Sequence, residues 1–358
     1  MLAASCGLNT APGTLGAMRL ANIPRDMVVV GVDLGGTNMQ IGVVNAEGKV
    51  VGRAKRKTKA HEGKDEVVRR LCEGVGRALD DARVPRERLL AVGVGAPSAV
   101  DFDKGLVLKA GNLGWENVPL REILSKELRV PVALDNDVNV AAWGEAQLGV
   151  ARGRANMLAV WVGTGVGAGL VLGGGLWRGP RHTAGEIGQV ILFPAGQPGF
   201  MTVEDICSRT GIVNAIRRLL PMHPDSMLHR LIAEKLAERE QEKLEKQEKG
   251  GERGIDAALG SSTIARAYEK DDELARKVVD RSAEFLGVAI ANIVTMLSID
   301  CVVLGGGVTE ALGEAYVGRV RKSFDRAVFP SVLRKTDILA STLGDDAGML
   351  GAAMLVGA

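Results

Sequence analysis

Two carboxylates stand where a phosphoryl transfer would use them. Asp33 ends an apolar run beginning at Val28 and opens into Gly35-Gly36-Thr37, after which a second apolar run leaves through Met39, Ile41, Val43 and Val44. Consecutive glycines let backbone N–H groups converge on an anion without Cβ interference, and Thr37 adds a hydroxyl. Asp33 is placed to offer a hard oxygen ligand, directly or through water, to a magnesium ion bridging phosphates. Asp-x-Gly-Gly is equally an ordinary hairpin turn, so the motif alone leaves both readings open. The second carboxylate, Asp137, lies in Leu134-Asp135-Asn136-Asp137-Val138-Asn139 at the first turn of an expected helix. There the N–H groups and dipole favour an anion by about 0.3–1 kcal/mol, which predicts a lowered pKa and a weak base. Phosphoryl transfer tolerates a weak base, because the aspartate mainly orients the hydroxyl and accepts its proton late. Plain helix capping by Asp135 to Asp137 is the competing reading.

Two further glycine clusters accompany them. Gly163-Thr164-Gly165 repeats the strand–turn–strand scheme, and Gly305-Gly306-Gly307 ends another apolar run. No Gly-x-x-x-x-Gly-Lys-Ser/Thr run occurs, which excludes a P-loop. Gly163 to Ala168 matches a dinucleotide fingerprint, but a second apolar strand follows where a helix should begin, so the match is spurious. Two glycine turns, one in each half, are instead placed to grip a polyphosphate from opposite sides. The third cluster leaves room for an adenine or ribose.

The elements that must carry these residues follow from pattern. With 358 residues, 46% hydrophobic and 25% charged, the chain has room for two domains with separate cores. A net charge of +2 gives no reason to expect nucleic acid or a membrane surface as partner. Four scattered cysteines show neither zinc spacing nor a disulfide framework, which points to a reducing, cytoplasmic setting. Residues 155–177 carry no charge, but seven glycines among them argue for buried strands and not a membrane span. The first half reads as three strands, then helix, strand, helix, strand, helix, with Asp65 as N-cap of the first helix. The second half restarts that order at Met157, with a long helix over residues 272–297 and a strand over residues 301–304. The fold class is therefore α/β, two related halves facing each other. A mobile extension is expected at residues 1–26. Residues 27–141 with 344–358 make a small domain, because the small-residue C-terminal helix is suited to dock on the first half. Residues 142–343 make a larger domain carrying a charged helical insertion at about 228–255. Ionic i,i+4 pairs and the seam of Leu228, Ile232 and Leu236 make that insertion a solvated surface helix; a partner-binding arm is the alternative.

The chain resembles the ROK family of sugar kinases, within the hexokinase/actin-like ATPase fold of two ribonuclease-H-like domains with a cleft between them. The likeness is carried, in order, by Asp33-Leu-Gly-Gly-Thr37, Gly93-Val-Gly-Ala-Pro97, Gly111-Asn112-Leu-Gly-Trp115, Asn136-Asp137-Val-Asn139, Gly163-Thr-Gly165-Val-Gly167, Gly185-Glu186-Ile-Gly188 and Gly305-Gly306-Gly307-Val308. It implies Asp137 as catalytic base and Asn112, Asn136, Glu186 and Glu204 as contacts to sugar hydroxyls. It also implies Gly35, Gly36 and Thr37 with Gly163, Thr164 and Gly165 as phosphate-binding turns, Gly305 to Gly307 bordering adenosine, and Asp33 serving ATP-bound magnesium. Closure of the domains around the sugar would exclude water. Two departures stand out. The family's Gly-Glu-Ile-Gly-His ends here in Gln189, which still hydrogen-bonds but is a poor zinc ligand. The family's cysteine-rich run is also missing, with Ala195 to Thr202 in its place, so no structural zinc is expected. His182 is a candidate to replace the lost imidazole. The implied activity is ATP-dependent phosphorylation of a hexose 6-hydroxyl, most simply that of glucose. N-acetylmannosamine, N-acetylglucosamine, fructose and allose are alternative acceptors, and a non-catalytic sugar-binding protein or regulator is the alternative class. The resemblance also implies a homo-oligomer, dimer or tetramer.

Overall fold

A computed structural model of the chain describes residues 23–196, 199–246 and 254–357. Most of the expected N-terminal extension, residues 1–22, lies outside them. The strands and helices run, in chain order, β1 (Val28–Leu34), β2 (Asn38–Val44), β3 (Val50–Lys57), α1 (Lys64–Asp81), β4 (Leu89–Ala96), β5 (Ala99–Asp101), β6 (Leu106–Ala110), β7 (Trp115–Val118), α2 (Leu120–Leu128), β8 (Val132–Asn136) and α3 (Asp137–Gln147). They continue as β9 (Met157–Val162), β10 (Val166–Leu172), β11 (Gly175–Trp177), β12 (Ile191–Gly196), β13 (Gly199–Thr202), α4 (Val203–Cys207), α5 (Arg209–Leu219), α6 (Leu228–Lys246), α7 (Ile255–Ala258), α8 (Ser261–Glu269) and α9 (Glu273–Leu297). The last are β14 (Cys301–Gly305), α10 (Gly307–Ala327), β15 (Asp337–Ala340) and α11 (Ala347–Met354).

The fold is mixed α/β. One five-stranded sheet has the order β3-β2-β1-β4-β8 and the other β11-β10-β9-β14-β15, the same arrangement written twice. In the first sheet β1 pairs antiparallel with β2 and parallel with β4, which pairs parallel with β8. The uncharged stretch over residues 155–177 is β9 to β11. Among the described residues no helix is long and apolar enough to cross a membrane.

The chain divides into two compact units. The first holds residues up to Ala159, Gly169–Gly185 and Thr342–Ala358; the second holds Val160–Ala168 and Glu186–Ser341. In the first unit, alternation along β1 sorts its side chains by face. Val28, Val30, Val32 and Leu34 join Leu71 and Val75 of α1 and Leu120 and Leu124 of α2 in one buried cluster. The opposite face carries Gly31 and Asp33, and α11 lies against it. That approach is closer than side chains allow. A Cβ on Gly93 of β4 would sit 1.7 Å from the carbonyl oxygen of Ala352, and one on Gly351 of α11 would sit 1.6 Å from that of Val140 in α3. Three hydrogen bonds secure the seat. Glu145 Oε1 accepts the N–H groups of Thr342 and Leu343 at 3.1 and 3.0 Å, and Trp143 Nε1 donates to Met354 O at 3.2 Å.

Several local expectations shift. Helix α1 starts at Lys64 with Gly63 as N-cap, so Asp65 lies in the first turn instead of capping it. A three-stranded sheet, β5-β6-β7, stands between β4 and α2 where no strand was read. In the second unit α9 and α10 pack together. Helix α6 buries Leu228, Leu231 and Ile232, while Leu236 is half-buried and the polar residues through Glu240 are mostly exposed. Residues 247–253 of the expected insertion lie outside the described ones.

The α11 seat makes a contrast testable by chemical denaturation. Gly93→Val or Gly351→Val must push backbone from backbone and should cost about 3 kcal/mol or more, above the usual overpacking range. Gly76→Ala, in α1 with open space around it, should be neutral or stabilising by up to ~1 kcal/mol. Equal effects at the two kinds of site would contradict this packing.

Candidate active site

The first unit gathers Asp33, Gly35 to Thr37, Asn112, Asn136 and Asp137 around the ends of β1, β4 and β8. Register does the gathering: Gly95 of β4 is opposite Asp33 of β1 on one side and Asp135 of β8 on the other. A Cβ there would meet Val140 at 2.5 Å and the Asp137 Cα at 3.5 Å, so the bare glycine gives the start of α3 its place. The turn Gly35 to Thr37 is tied down by the buried Thr58 at the end of β3. Its N–H donates to Thr37 O at 2.8 Å and its Oγ1 to Gly35 O at 2.6 Å. The Asn112 amide lies against Gly36.

Asn136, not an aspartate, caps α3. Its Oδ1 accepts the N–H groups of Val138 and Asn139 at 2.9 and 3.0 Å, and its Nδ2 donates to Ser98 O at 2.8 Å. The same amide also hydrogen-bonds the Asp137 side chain, which takes up its second N–H. Asp135 points inward, where Arg178 Nε donates to its Oδ2 at 2.6 Å and Asn139 Nδ2 to its Oδ1 at 2.9 Å. Arg178 in turn lies 3.7 Å over the ring of Phe102. The β8–α3 junction is thus fixed from inside the protein, with Asp137 held only by its neighbours, Val138 N–H and Asn136.

Asp137 departs from the expectation of a lowered pKa. Burial raises its pKa, the charge of Asp33 raises it further, and hydrogen bonds from Val138 N–H and Asn136 offset this only in part, leaving it at about 7. The helix terminus therefore loses to desolvation and to a like charge. Asp33 is itself raised to about 6, by burial first and then by Asp345. Neither carboxylate is sealed from solvent, and neither has a cationic partner among the described residues. Asp345, in the segment leading into α11, is a participant that sequence pattern did not disclose. His182, the candidate replacement imidazole, has its Nε2 3.6 Å from Asp101 and 3.3 Å from Asp103.

Asp33 fits a magnesium ligand. Its carboxylate accepts no hydrogen bond among the described residues and is crowded by negative charge that a cation would relieve. No group of three or more His, Cys, Asp or Glu among the described residues is placed to hold a metal, so phosphate and water oxygens would complete such a shell.

The second unit holds the other predicted residues. Gly163 N–H donates to Gly165 O at 2.9 Å, closing the turn around Thr164. Glu204, near the start of α4, accepts Val166 N–H on Oε2 at 2.9 Å, and the same oxygen lies beside Gly165 and Gly188. Glu204 therefore links the glycine turn to the Glu186–Gln189 turn, in which Glu186 and Gln189 are exposed. Helix α4 is set by a capping box between Thr202 and Asp205. At the end of β14, Gly305 carries the indole of Trp161 on its bare Cα. Gly306 follows at φ 85°, a left-handed conformation suited to glycine, and N-caps α10 against the backbone of Val162.

A sequence model of the ROK family matches residues 29–358. A glucokinase from Halalkalibacterium halodurans is 31% identical over 338 residues, spanning 92% of this chain and 95% of that protein. A glucokinase from Thermotoga maritima is 31% identical over 329 residues, spanning 92% and 96%. Among solved structures, a ROK family glucokinase from Streptomyces griseus in complex with glucose and AMPPNP superposes with a TM-score of 0.74, at 28% identity, covering 92% of this chain and 98% of that one. The order of motifs, the doubled sheet and these likenesses over nearly the whole chain agree: the protein belongs to the ROK family.

Proposed function

We propose that this chain is an ATP-dependent hexose kinase that phosphorylates the sugar 6-hydroxyl, with glucose as the foremost acceptor. The observation that carries the reading is Asp137, a solvent-reachable carboxylate with no cationic partner among the described residues, poised near neutrality beside Asp33 and a glycine turn. A general base works best with a pKa near the working pH, and burial has moved Asp137 into that range. Likeness to glucokinases along nearly the full length supports the same activity.

In this mechanism Asp137 accepts the proton of the sugar 6-hydroxyl as its oxygen attacks the terminal phosphorus of ATP. The bond from that phosphorus to the bridging oxygen breaks, and ADP departs with its electron pair. The network around Asp135 and Arg178 keeps the start of α3 from shifting. Asn112, Asn136, Glu186, Gln189 and Glu204 contact sugar hydroxyls. Asn136 sits beside Asp137 and hydrogen-bonds it, so a sugar hydroxyl reaching the base also meets this amide, and Glu204 has Oε1 with no hydrogen-bond partner among the described residues. Gly35, Gly36 and Thr37, together with Gly163, Thr164 and Gly165, hold phosphates, and Gly305 to Gly307 border the adenosine. Asp33 would hold magnesium, which when bound would neutralise charge on the transferring phosphoryl group. Gln189 and the absent cysteine run make a structural zinc unnecessary to the site. A cytoplasmic, homo-oligomeric enzyme completes the reading, with dispersed cysteines supporting the first point.

Three measurements test it. A coupled ADP-release assay should show magnesium-dependent turnover of at least one aldohexose, and Asp137→Ala should lower kcat by about 10²–10⁴-fold; an unchanged mutant would assign the base wrongly. Second, Asp137→Asn should stabilise the ligand-free protein at pH 8, where the native carboxylate is ionised at a cost. A group whose native pKa is raised contributes stability at low pH that is lost as pH rises through its native value of about 7. The gain, about 1–3 kcal/mol after allowing for solvent, should shrink steadily from pH 7 toward 4. A gain that grows on acidification would contradict the sign. Third, metal analysis of the purified protein should find zinc well below one equivalent; a stoichiometric value would overturn the reading of Gln189.

A further inference from the structure

One arginine in the second unit is used in an unusual way. Arg209 begins α5, and its Nη2 donates to the hydroxyl of Thr164, the central residue of the Gly163–Gly165 turn, at 2.8 Å. The next residue and the backbone hold the same turn: Thr210 Oγ1 donates to Thr164 O at 2.7 Å, and Arg209 N–H to Gly163 O at 2.9 Å. The guanidinium is thereby kept over the turn and only partly buried. It offers five N–H donors, of which one bond to a neutral hydroxyl is in place.

Many other arginines meet carboxylates, as Arg53 meets Asp346, Arg56 meets Glu73, Arg178 meets Asp135 and Arg217 meets Asp256, while Arg86 and Arg121 spend their donors on backbone carbonyls. Arg209 has no carboxylate within ion-pair distance among the described residues. Glu204, which borders the same turn, has one oxygen engaged by Val166 N–H. A fixed cation with spare, parallel donors and no anion is matched to a planar or tetrahedral oxyanion that arrives from solution.

We propose that Arg209 is a donor-binding residue: its guanidinium grips the phosphoanhydride chain of the phosphoryl donor at the Gly163–Gly165 turn. On binding, it exchanges the Thr164 hydroxyl for charged phosphate oxygens, and the released hydroxyl becomes available to the same chain. A phosphate chain carries negative charge that a hydroxyl lacks and can take two parallel N–H bonds from the guanidinium fork, so the exchange favours the bound state. Phosphate oxygens are the whole of what Arg209 reads, so a nucleoside triphosphate and an inorganic polyphosphate are gripped through the same chemistry. This inference rests on the kinase reading, in which that turn holds phosphate.

The test compares the wild-type chain with Arg209→Ala and Arg209→Lys. In steady-state assays Arg209→Ala should raise KM for ATP about 10–100-fold, the loss expected for hydrogen bonds to a charged group. KM for glucose should be unchanged and kcat should move by less than about threefold, since no bond made only in the transition state is removed. Arg209→Lys, which keeps charge without the fork, should fall between. Calorimetry without sugar gives a second readout: AMPPNP and inorganic tripolyphosphate should both bind Arg209→Ala more weakly, while adenosine binds equally. Loss with AMPPNP but not tripolyphosphate would show that Arg209 reads the nucleoside and would overturn the inference. So would unchanged AMPPNP affinity in a variant that turns over glucose normally, with the kinase reading intact. Failure of the wild-type protein to bind AMPPNP at all would remove both.

Discussion

The site depends on a contact made by backbone alone. Helix α11 reaches the sheet and α3 at distances that exclude even a methyl group, because glycine stands at the points of contact on both sides. Packing at this range gains dispersion over many atoms but tolerates no displacement. One consequence is chemical. The same helix brings its first turn, at Gly348, against the carboxylate of Asp33, and the segment leading into it supplies Asp345. Asp33 thus sits in a crowded, negatively charged niche near the start of α3. The raised pKa values of Asp33 and Asp137 are therefore a product of how the C-terminal segment packs on the first sheet.

This arrangement stores its cost where the function uses it. Two carboxylates that repel each other weaken the ligand-free fold above neutral pH, and a cation or a transferred proton relieves them. Active sites commonly set pKa values by such conflicts, retained because the surrounding packing is strong enough to hold them. In the first unit that strength comes from the two-sided burial of β1 and β4, with side chains on one face and helix backbone on the other.

Much of this was legible in residue order. Asp33 before a glycine turn, Asn136-Asp137 at a helix start and the restart of the scheme at Met157 are local patterns, and local patterns survive in sequence. The small-residue helix at the end of the chain was readable too, since only small residues permit such packing. What was not legible depends on burial and on long-range neighbours. The helix dipole is a property of local sequence, so it predicted a lowered pKa for Asp137; desolvation and Asp33 arise from elements far apart in the chain, and they win. Arg209 lies 45 residues from Thr164, and Asp345 reaches Asp33 from the other end of the protein. The β5–β7 sheet went unread because its strands are short and broken by Asp, Asn and Gly, with weak alternation.

The central claim is that the fold holds Asp137 near neutrality by burial and by the charge of Asp33. The direct measurement is a pH titration of the Asp137 side-chain carboxyl carbon by NMR in the ligand-free protein, repeated in Asp33→Asn. A midpoint near 7 in the native chain, displaced to lower pH when Asp33 is neutralised, is the predicted result. A midpoint in the ordinary aspartate range, about 4 or below, or one indifferent to Asp33, would contradict it.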